Sequence, residues 1–304
     1  MDTFDGRKIL ITGGTGFIGR PLVKALINAG AEVTVLTRKA GQKSRLEDGR
    51  LIYINHLDEV SDDQRIDAMI NLAGEPLAGG RWSRARKALL LNSRVQVTSE
   101  LRKLASRLER RPEVLVSGSA IGYYGHQDDT LLDENAAYAE CFSHRLCALW
   151  EQEAMTFAEL GMRVCLLRTG IVLGKGGGPL RELRKSFDMR VATQFSRGDQ
   201  WMSWIHLDDE VGIILYALSH DNIHGVINAT APVPVTNKAF CREFGRIKKT
   251  FFKLTIPAAI LKIMLGEMAE EILLTGQRVV PKKLLDCGYA FKYRELKSAL
   301  ENLT

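Results

Sequence analysis

The stretch ILITGGTGFIG, Ile9 to Gly19, sets a glycine cluster between an apolar run and a resumed apolar pattern at Phe17 and Ile18. Gly13, Gly16 and Gly19 follow a predicted strand and open a predicted helix, so main-chain N–H groups at the helix start can face an anion with no Cβ in the way. The pattern reads both as GxGxxG on Gly14, Gly16 and Gly19 and as GxxGxxG on Gly13, Gly16 and Gly19. A second predicted strand follows at the expected distance, and together these features predict a dinucleotide pyrophosphate site rather than a bare tight turn. The end of that second strand chooses the dinucleotide. Binders of NAD usually place Asp or Glu there to accept from the ribose hydroxyls, whereas this chain has Thr37, Arg38 and Lys39 with no carboxylate among them. A guanidinium meets a phosphate through two charge-assisted hydrogen bonds, so the expected cofactor is NADP(H). The competing reading is that Arg38 is a solvated loop residue.

Two further stretches offer reactive groups. In WIHLDD, His206 has a side chain that titrates near neutrality and could act as a general acid or base. The preferred expectation there is structural: Asp208 or Asp209 caps the helix that follows, and His206 fixes the joint between lobes. Lys175 with Gly176, Gly177 and Gly178 superficially resembles a phosphate loop but lacks a GKT or GKS ending, which predicts a flap over the substrate cleft. The five cysteines are odd in number and scattered, with no CxxC pair, so neither a disulfide framework nor a metal site is expected.

These groups need a scaffold, and the hydrophobic pattern supplies one. Segments 8–12, 32–37, 51–55, 67–74, 113–119 and 163–170 read as strands, with helices expected at 17–29, 83–108 and 140–160, the first closed by Gly30. Nearly continuous apolar strands separated by helices predict a parallel sheet covered on both faces: an α/β, Rossmann-type doubly wound fold. The dinucleotide-binding domain is expected to span 1–175 and to be rejoined by about 201–230 through a strand at 201–205, a helix and a strand at 225–230. Residues 176–304 are expected to form a smaller lobe over the carboxyl ends of the sheet, with an extra subdomain at about 250–304.

With 45% hydrophobic and 26% charged residues the chain has ordinary globular composition, and its net charge of +6 is modest for 304 residues. No secretory signal pattern and no apolar run near the roughly 18 residues of a bilayer span occur, so a cytoplasmic protein without membrane contact is expected. Basic residues from Arg81 to Arg111 alternate with leucines and valines at helical intervals, which predicts a solvated helix face and no nucleic-acid partner. The expected partner is a small-molecule substrate. A homodimer is left open.

The motifs TGGTGFIG (12–19), NLAG (71–74), SGSAIGYYG (117–125), LLRTGIVLG (166–174) and WIHLDDEV (204–211) resemble, in type and order, the extended short-chain dehydrogenase/reductase superfamily. More closely, Arg81 with Trp82, the NSR at 92–94, the CxxWE at 147–151, the GKGGG loop and the tail RVVPKKLLDCGYAFKYRELKSAL resemble epimerase-family proteins of uncharacterised substrate, a branch with a small extra C-terminal domain. That resemblance, which covers essentially the whole chain, implies roles residue by residue. Gly13, Gly16, Phe17, Ile18 and Gly19 would hold the pyrophosphate, and Thr37 and Arg38 the adenosine phosphate end. Leu72 and Ala73 would line the groove, Gly74 would let the cofactor pass, and Arg94 and Arg168 would add cofactor contacts. Leu72 and Ala73 could equally be core residues, and Arg94 a helix-surface charge.

Redox members of that superfamily use a Tyr followed four residues later by Lys, which lowers the phenol pKa so that the tyrosinate takes a proton as hydride moves. This chain departs from the pattern. Aligning the helix on Trp150 and Glu151 puts Ser143 at the tyrosine position and Cys147 at the lysine position. Ser119 matches the superfamily serine, and Tyr124, with Tyr123 beside it, is the nearest phenol that could serve as a proton donor. The resemblance implies an NADP-dependent oxidoreductase or epimerase acting on a small, sugar-like molecule. The missing Tyr and Lys keep a second reading open: a catalytically silent NADP(H)-bound sensor or interaction protein.

Overall fold

Ile9, Leu10 and Ile11 are apolar on both faces of the first strand, β1 (Lys8–Thr12), because packed structure covers both faces, and all three are buried. The computed structural model describes residues 3–38, 49–78 and 80–304; Lys39 lies outside them. After β1, Gly13 takes φ +72° and the chain turns into α1 (Gly19–Asn28), which buries Leu22, Val23 and Leu26. Gly30, at φ +93°, closes that helix as expected: its N–H reaches Ile27 O and the next N–H, of Ala31, reaches Leu26 O, both at 3.0 Å.

The alternation continues through β2 (Glu32–Leu36), β3 (Leu51–Ile54), β4 (Ala68–Asn71), α2 (Arg84–Arg107), β5 (Val114–Ala120), the short β6 (Leu131–Leu132), α3 (Phe142–Met155) and β7 (Arg163–Thr169). Ser83 starts α2 by accepting the Arg86 N–H at 3.1 Å. Past β7 the elements shorten: β8 (Ile171–Leu173), α4 (Gly178–Asp188), β9 (Val191–Phe195), β10 (Trp201–Met202), β11 (Trp204–His206), α5 (Leu207–Ser219), β12 (Gly225–Ala229), β13 (Val235–Thr236), α6 (Asn237–Lys248), β14 (Phe252–Ile256) and α7 (Ala258–Leu265). A π-helical turn, Ala269–Leu274, then β15 (Arg278–Val279), α8 (Lys282–Asp286) and α9 (Leu296–Leu303) complete the described chain.

Seven of these strands form one parallel sheet in the order β12-β7-β5-β4-β1-β2-β3. The direction of winding reverses between β1 and β4, which opens a crevice at their carboxyl ends where ligands of open α/β sheets bind. One face packs α1 and α5 through Leu22, Leu26, Ile213 and Ile214; the other packs α2, the end of α3 and the turn after it through Leu101, Leu104, Ala154 and Phe157.

A third core gathers Phe187, Trp204, Phe240, Phe244 and Leu300 among α4, β11, α6 and α9. The chain leaves the sheet after β7 and re-enters it through α5 and β12. Residues 250–304, expected as an extra subdomain, pack against both parts of the fold: Leu284 and Phe291 join the core under the sheet, while Leu296, Ala299 and Leu300 join the third core. The tail therefore straps the two parts together. No described helix is long and apolar enough to cross a membrane.

Candidate functional site

The glycine turn is built by backbone crowding. A Cβ on Gly13 would stand 2.6 Å from the Leu72 carbonyl, and one on Gly19 would stand 2.2 Å from Gly13 O. Those two glycines let the turn lie against the end of β4 and let α1 start directly beneath it. A Cβ on Gly16 would meet only Gly13 O, at 3.0 Å, so the side of the turn carrying Gly16 is otherwise open. No acceptor among the described residues takes the N–H groups of Phe17, Ile18 and Gly19, while Arg20 Nε ties the turn by donating to Thr15 O at 2.8 Å. Three aligned donors at the start of a ten-residue helix fit a diphosphate in position and charge.

At the end of β2, Thr37 is buried and accepts a hydrogen bond at its carbonyl from Asn55 Nδ2 (2.8 Å), while the Arg38 side chain is 92% exposed. The absence of a carboxylate here, inferred from the local sequence, is corrected by the fold. Glu75, just past β4, pairs with Arg38 at 3.1 Å and with Arg86 at 3.6 Å. An exposed pair of this kind is worth at most about 1 kcal/mol, so Arg38 can be drawn away by a doubly charged phosphate.

Leu72 and Ala73 are half-buried beside the glycine turn, and the Leu72 N–H bonds to Thr12 O at 3.1 Å. Beneath them a buried chain fixes the crevice floor: Thr12 Oγ1 donates to Asn71 Oδ1 (2.6 Å) and Asn71 Nδ2 donates to Thr98 Oγ1 (2.8 Å). Gly74 is a glycine because Arg94 lies against it; a Cβ would come within 2.9 Å of the guanidinium carbon. Arg94 is no surface charge. It is buried, donates to Leu90 O (2.9 Å) and Glu75 O (3.0 Å), stacks over Trp150, and has its pKa lowered by burial and by Arg86. Among the described residues no carboxylate is bonded to it, which leaves a cation at the crevice.

Helical spacing places Ser143, Cys147 and Glu151 on one face of α3, towards the end of β5. Ser119 Oγ donates to Glu151 Oε1 at 2.6 Å, and Arg168 clasps both oxygens of that carboxylate at 2.8 Å. Burial opposes the Arg168 charge, but the Glu151 bonds outweigh it and raise its pKa. Its guanidinium holds Glu151 through Nε and Nη2 and stacks 3.3 Å above the ring of Tyr123. Tyr124, expected as a possible proton donor, is fully buried, donates to Asn228 Oδ1 at 2.7 Å, and has its pKa pushed up to about 12 by burial. Tyr123 is the half-exposed phenol of the pair. Cys147 is buried, with its thiol pushed up to about 12 by burial and by Glu151, so it is held as the inert thiol. Ser143 gives its hydroxyl to Glu271 Oε2 at 2.6 Å, and the same carboxylate accepts the Phe142 and Ser143 N–H groups at 3.0 and 2.8 Å. A residue of the C-terminal strap thus caps α3 where the superfamily tyrosine would stand.

The WIHLDD turn is structural, in a different arrangement from the one expected. His206 Nδ1, not an aspartate, caps α5 by accepting the Asp208 N–H at 3.0 Å, and its ring packs on Tyr293. Asp209 accepts the Lys292 and Tyr293 N–H groups at 2.7 and 2.9 Å, tying down the tail. In the GKGGG loop the glycines form a seat for one ring: Cβ atoms on Gly174, Gly177 and Gly178 would fall 2.8, 2.5 and 2.6 Å from Phe17. The loop expected as a flap thereby packs against the cofactor turn itself. Sequence reasoning missed Glu210, which is fully buried, accepts from Thr169 Oγ1 at 2.9 Å, leaves its second oxygen without a partner, and is pushed up to about 8 by burial. It also gave no role to Glu151, although its four-residue spacing from Cys147 was visible.

Comparison with known proteins places this geometry. The profile of the NAD dependent epimerase/dehydratase family matches residues 9–229, and that of a domain of unknown function, DUF1731, matches 256–303. The chain belongs to the NAD dependent epimerase/dehydratase family. Within that family it is similar to the chloroplastic epimerase family protein SDR39U1 homolog of Arabidopsis thaliana, at 40% identity over 96% of this chain and 85% of that protein. The epimerase family protein YfhF of Bacillus subtilis is 35% identical over 97% of each chain. Among solved structures, the human epimerase family protein SDR39U1 with NADPH superposes with a TM-score of 0.87 and 31% identity, covering 97% of this chain and 98% of that one. The family and its Rossmann-type parallel sheet are therefore shown for this chain, and the family and the NADPH-bound neighbour support a nicotinamide dinucleotide as its cofactor.

Proposed function

We propose that the protein binds NADP(H) in the crevice between β1 and β4 and acts as an oxidoreductase or epimerase on a small, sugar-like alcohol. The observation that carries the reading is the open turn at Gly16, with its three free N–H groups, set beside an exposed Arg38. In this reading Phe17, Ile18 and Gly19 bind the diphosphate, and Gly13 and Gly16 shape the turn. Thr37 and Arg38 take the adenosine phosphate, Leu72, Ala73 and Gly74 line the passage, and Arg94 supplies positive charge beneath it. The structural human relative was solved with NADPH, which supports the same choice. The nicotinamide, when bound, supplies a hydride acceptor or donor. Ser119 already gives its proton to Glu151, so it meets the substrate with a lone pair and accepts from a substrate hydroxyl. Arg168 and Tyr123 position that carboxylate rather than touch the cofactor.

Isothermal titration with NADPH and NADH tests the cofactor choice. Arg38→Ala should weaken NADPH at least tenfold and leave NADH within about twofold, a loss of about 1.4 kcal/mol or more on the phosphate alone. Equal losses for both would refute the phosphate role. One observation favours the second reading, a bound sensor without turnover: the thiol on α3 nearest Ser119, Cys147, and the Tyr124 phenol in the turn after β5 are both sealed and held protonated. A panel of alcohols and nucleotide sugars followed at the nicotinamide absorbance decides between them, turnover lost in Ser119→Ala supporting the enzyme.

A further inference from the structure

Most of the molecule hides its large apolar side chains, but the stretch from Phe251 to Met264 does not. Phe251 and Phe252 are 79% and 70% exposed, Ile263 and Met264 74% and 62%, and Leu254 and Ile260 about half. Taking a fully exposed large side chain as on the order of 200 Å², these six present roughly 700 Å² of apolar surface. Phe251, Phe252 and Leu254, at β14 and the residue before it, supply roughly 400 Å² of that, the size of the largest patch of a typical monomer, about 300–600 Å².

The strand inside this stretch is also an open edge. β14 pairs on one side only, in parallel with β9. The Phe252 N–H donates to Arg190 O at 3.3 Å and Ile256 O accepts from the Ser196 N–H at 2.9 Å. Even-numbered residues therefore turn their backbone groups inward, and the N–H and C=O groups of Lys253 and Thr255 face outward. Among the described residues none of these outward groups has a backbone partner.

We propose that β14 is the seam of a twofold homodimer, pairing antiparallel with β14 of a second copy about Leu254. The register is self-consistent. With Leu254 opposite Leu254, Lys253 and Thr255 become directly opposed residues that exchange both N–H···O bonds, twice across the dyad. On one face Phe252 lies over Ile256 and Leu254 over Leu254, an unbroken apolar ladder. On the other, Lys253 meets Thr255, so no like charges are opposed. A lysine on a bare edge usually discourages pairing, and this register is the one that accommodates it. Pro257 has no N–H and ends the strand at the limit of the ladder. A lipid surface would take the same side chains but would leave the strand's outward groups without a ladder, and for that reason a second copy is the occupant.

The experiment is light scattering on the full chain at tens of micromolar, for wild type, Leu254→Glu and Leu254→Cys. Wild type is expected at twice the chain mass and Leu254→Glu at the single-chain mass with an unchanged far-ultraviolet circular dichroism spectrum. Leu254→Cys should form an intermolecular disulfide that wild type, with its own five cysteines, does not form. A wild type of single-chain mass overturns the proposal, as does a dimer that survives Leu254→Glu, which would move the interface elsewhere. A single-chain wild type that sediments with anionic phospholipid vesicles, and loses that binding in Leu254→Glu, would assign the face to a membrane surface instead.

Discussion

Glu210 should make the stability of this protein fall as pH rises through neutrality. The carboxyl is sealed at the start of α5 with one oxygen bonded to Thr169 and the other unpartnered, and burial without any compensating cation pushes its pKa up to about 8. In the unfolded chain the same group releases its proton near pH 4.5. Between those values the folded state holds one more proton than the unfolded state, so stability declines with pH at about 1.4 kcal/mol per unit and levels off only above the folded value. The full penalty is roughly 4–5 kcal/mol, a large part of the 5–15 kcal/mol that holds a typical domain together. Glu210→Gln keeps the shape and an acceptor for Thr169 but removes the titration. Urea unfolding followed by tryptophan fluorescence, at several pH values from about 5 to about 9, measures the difference. The variant and wild type should be nearly equally stable at the acid end, and the variant should be more stable by several kcal/mol at the alkaline end. Other raised carboxyls such as Asp209 titrate in both proteins and cancel in the comparison. Parallel curves across the range would refute the buried, neutral Glu210 described above.

The seat of Phe17 predicts that Gly177→Ala, whose backbone is already extended, destabilises by about 1–3 kcal/mol through contact with the ring and that Phe17→Ala abolishes most of that cost; additive losses in a double-mutant cycle would contradict the contact. Glu151→Gln strands the buried Arg168 charge and should cost about 3–5 kcal/mol, while the double change with Arg168→Gln should recover part of it; thermal unfolding of the three variants checks the order. Tyr124→Phe breaks one buried bond to Asn228 and should cost about 1–3 kcal/mol without changing NADPH affinity in calorimetry. A large loss of affinity there would place Tyr124 at the cofactor after all.

Much of the architecture was readable because its causes are local. An apolar β1 covered on both faces, a glycine turn, a helix stopped by Gly30 and a capped α2 each follow from a few neighbouring residues. The turn at Gly13 to Gly19 announced an anion site for the same reason, since a diphosphate cradle is made from consecutive backbone amides. The site beyond that turn was less legible. Arg94 could be read as a cofactor contact or as a charge on a helix surface, and only the close approach of Gly74 and Trp150 shows it buried. Tyr123 and Tyr124 are adjacent in sequence, and only the direction of a single short helical turn sends the second into the core.

What the sequence by itself determined is the part held by short-range geometry: the order of strands and helices, the cofactor turn, and the absence of the Tyr and Lys pair from α3. What the tertiary structure decided is where the acids went. Glu75 reaches Arg38 across the crevice, Glu151 joins Ser119 to Arg168, Glu271 arrives from the C-terminal strap to cap α3, and Glu210 is sealed with one oxygen unpaired. A carboxylate's partner and its charge state depend on distance and on exclusion of water, and both are fixed only when segments far apart in the chain have packed.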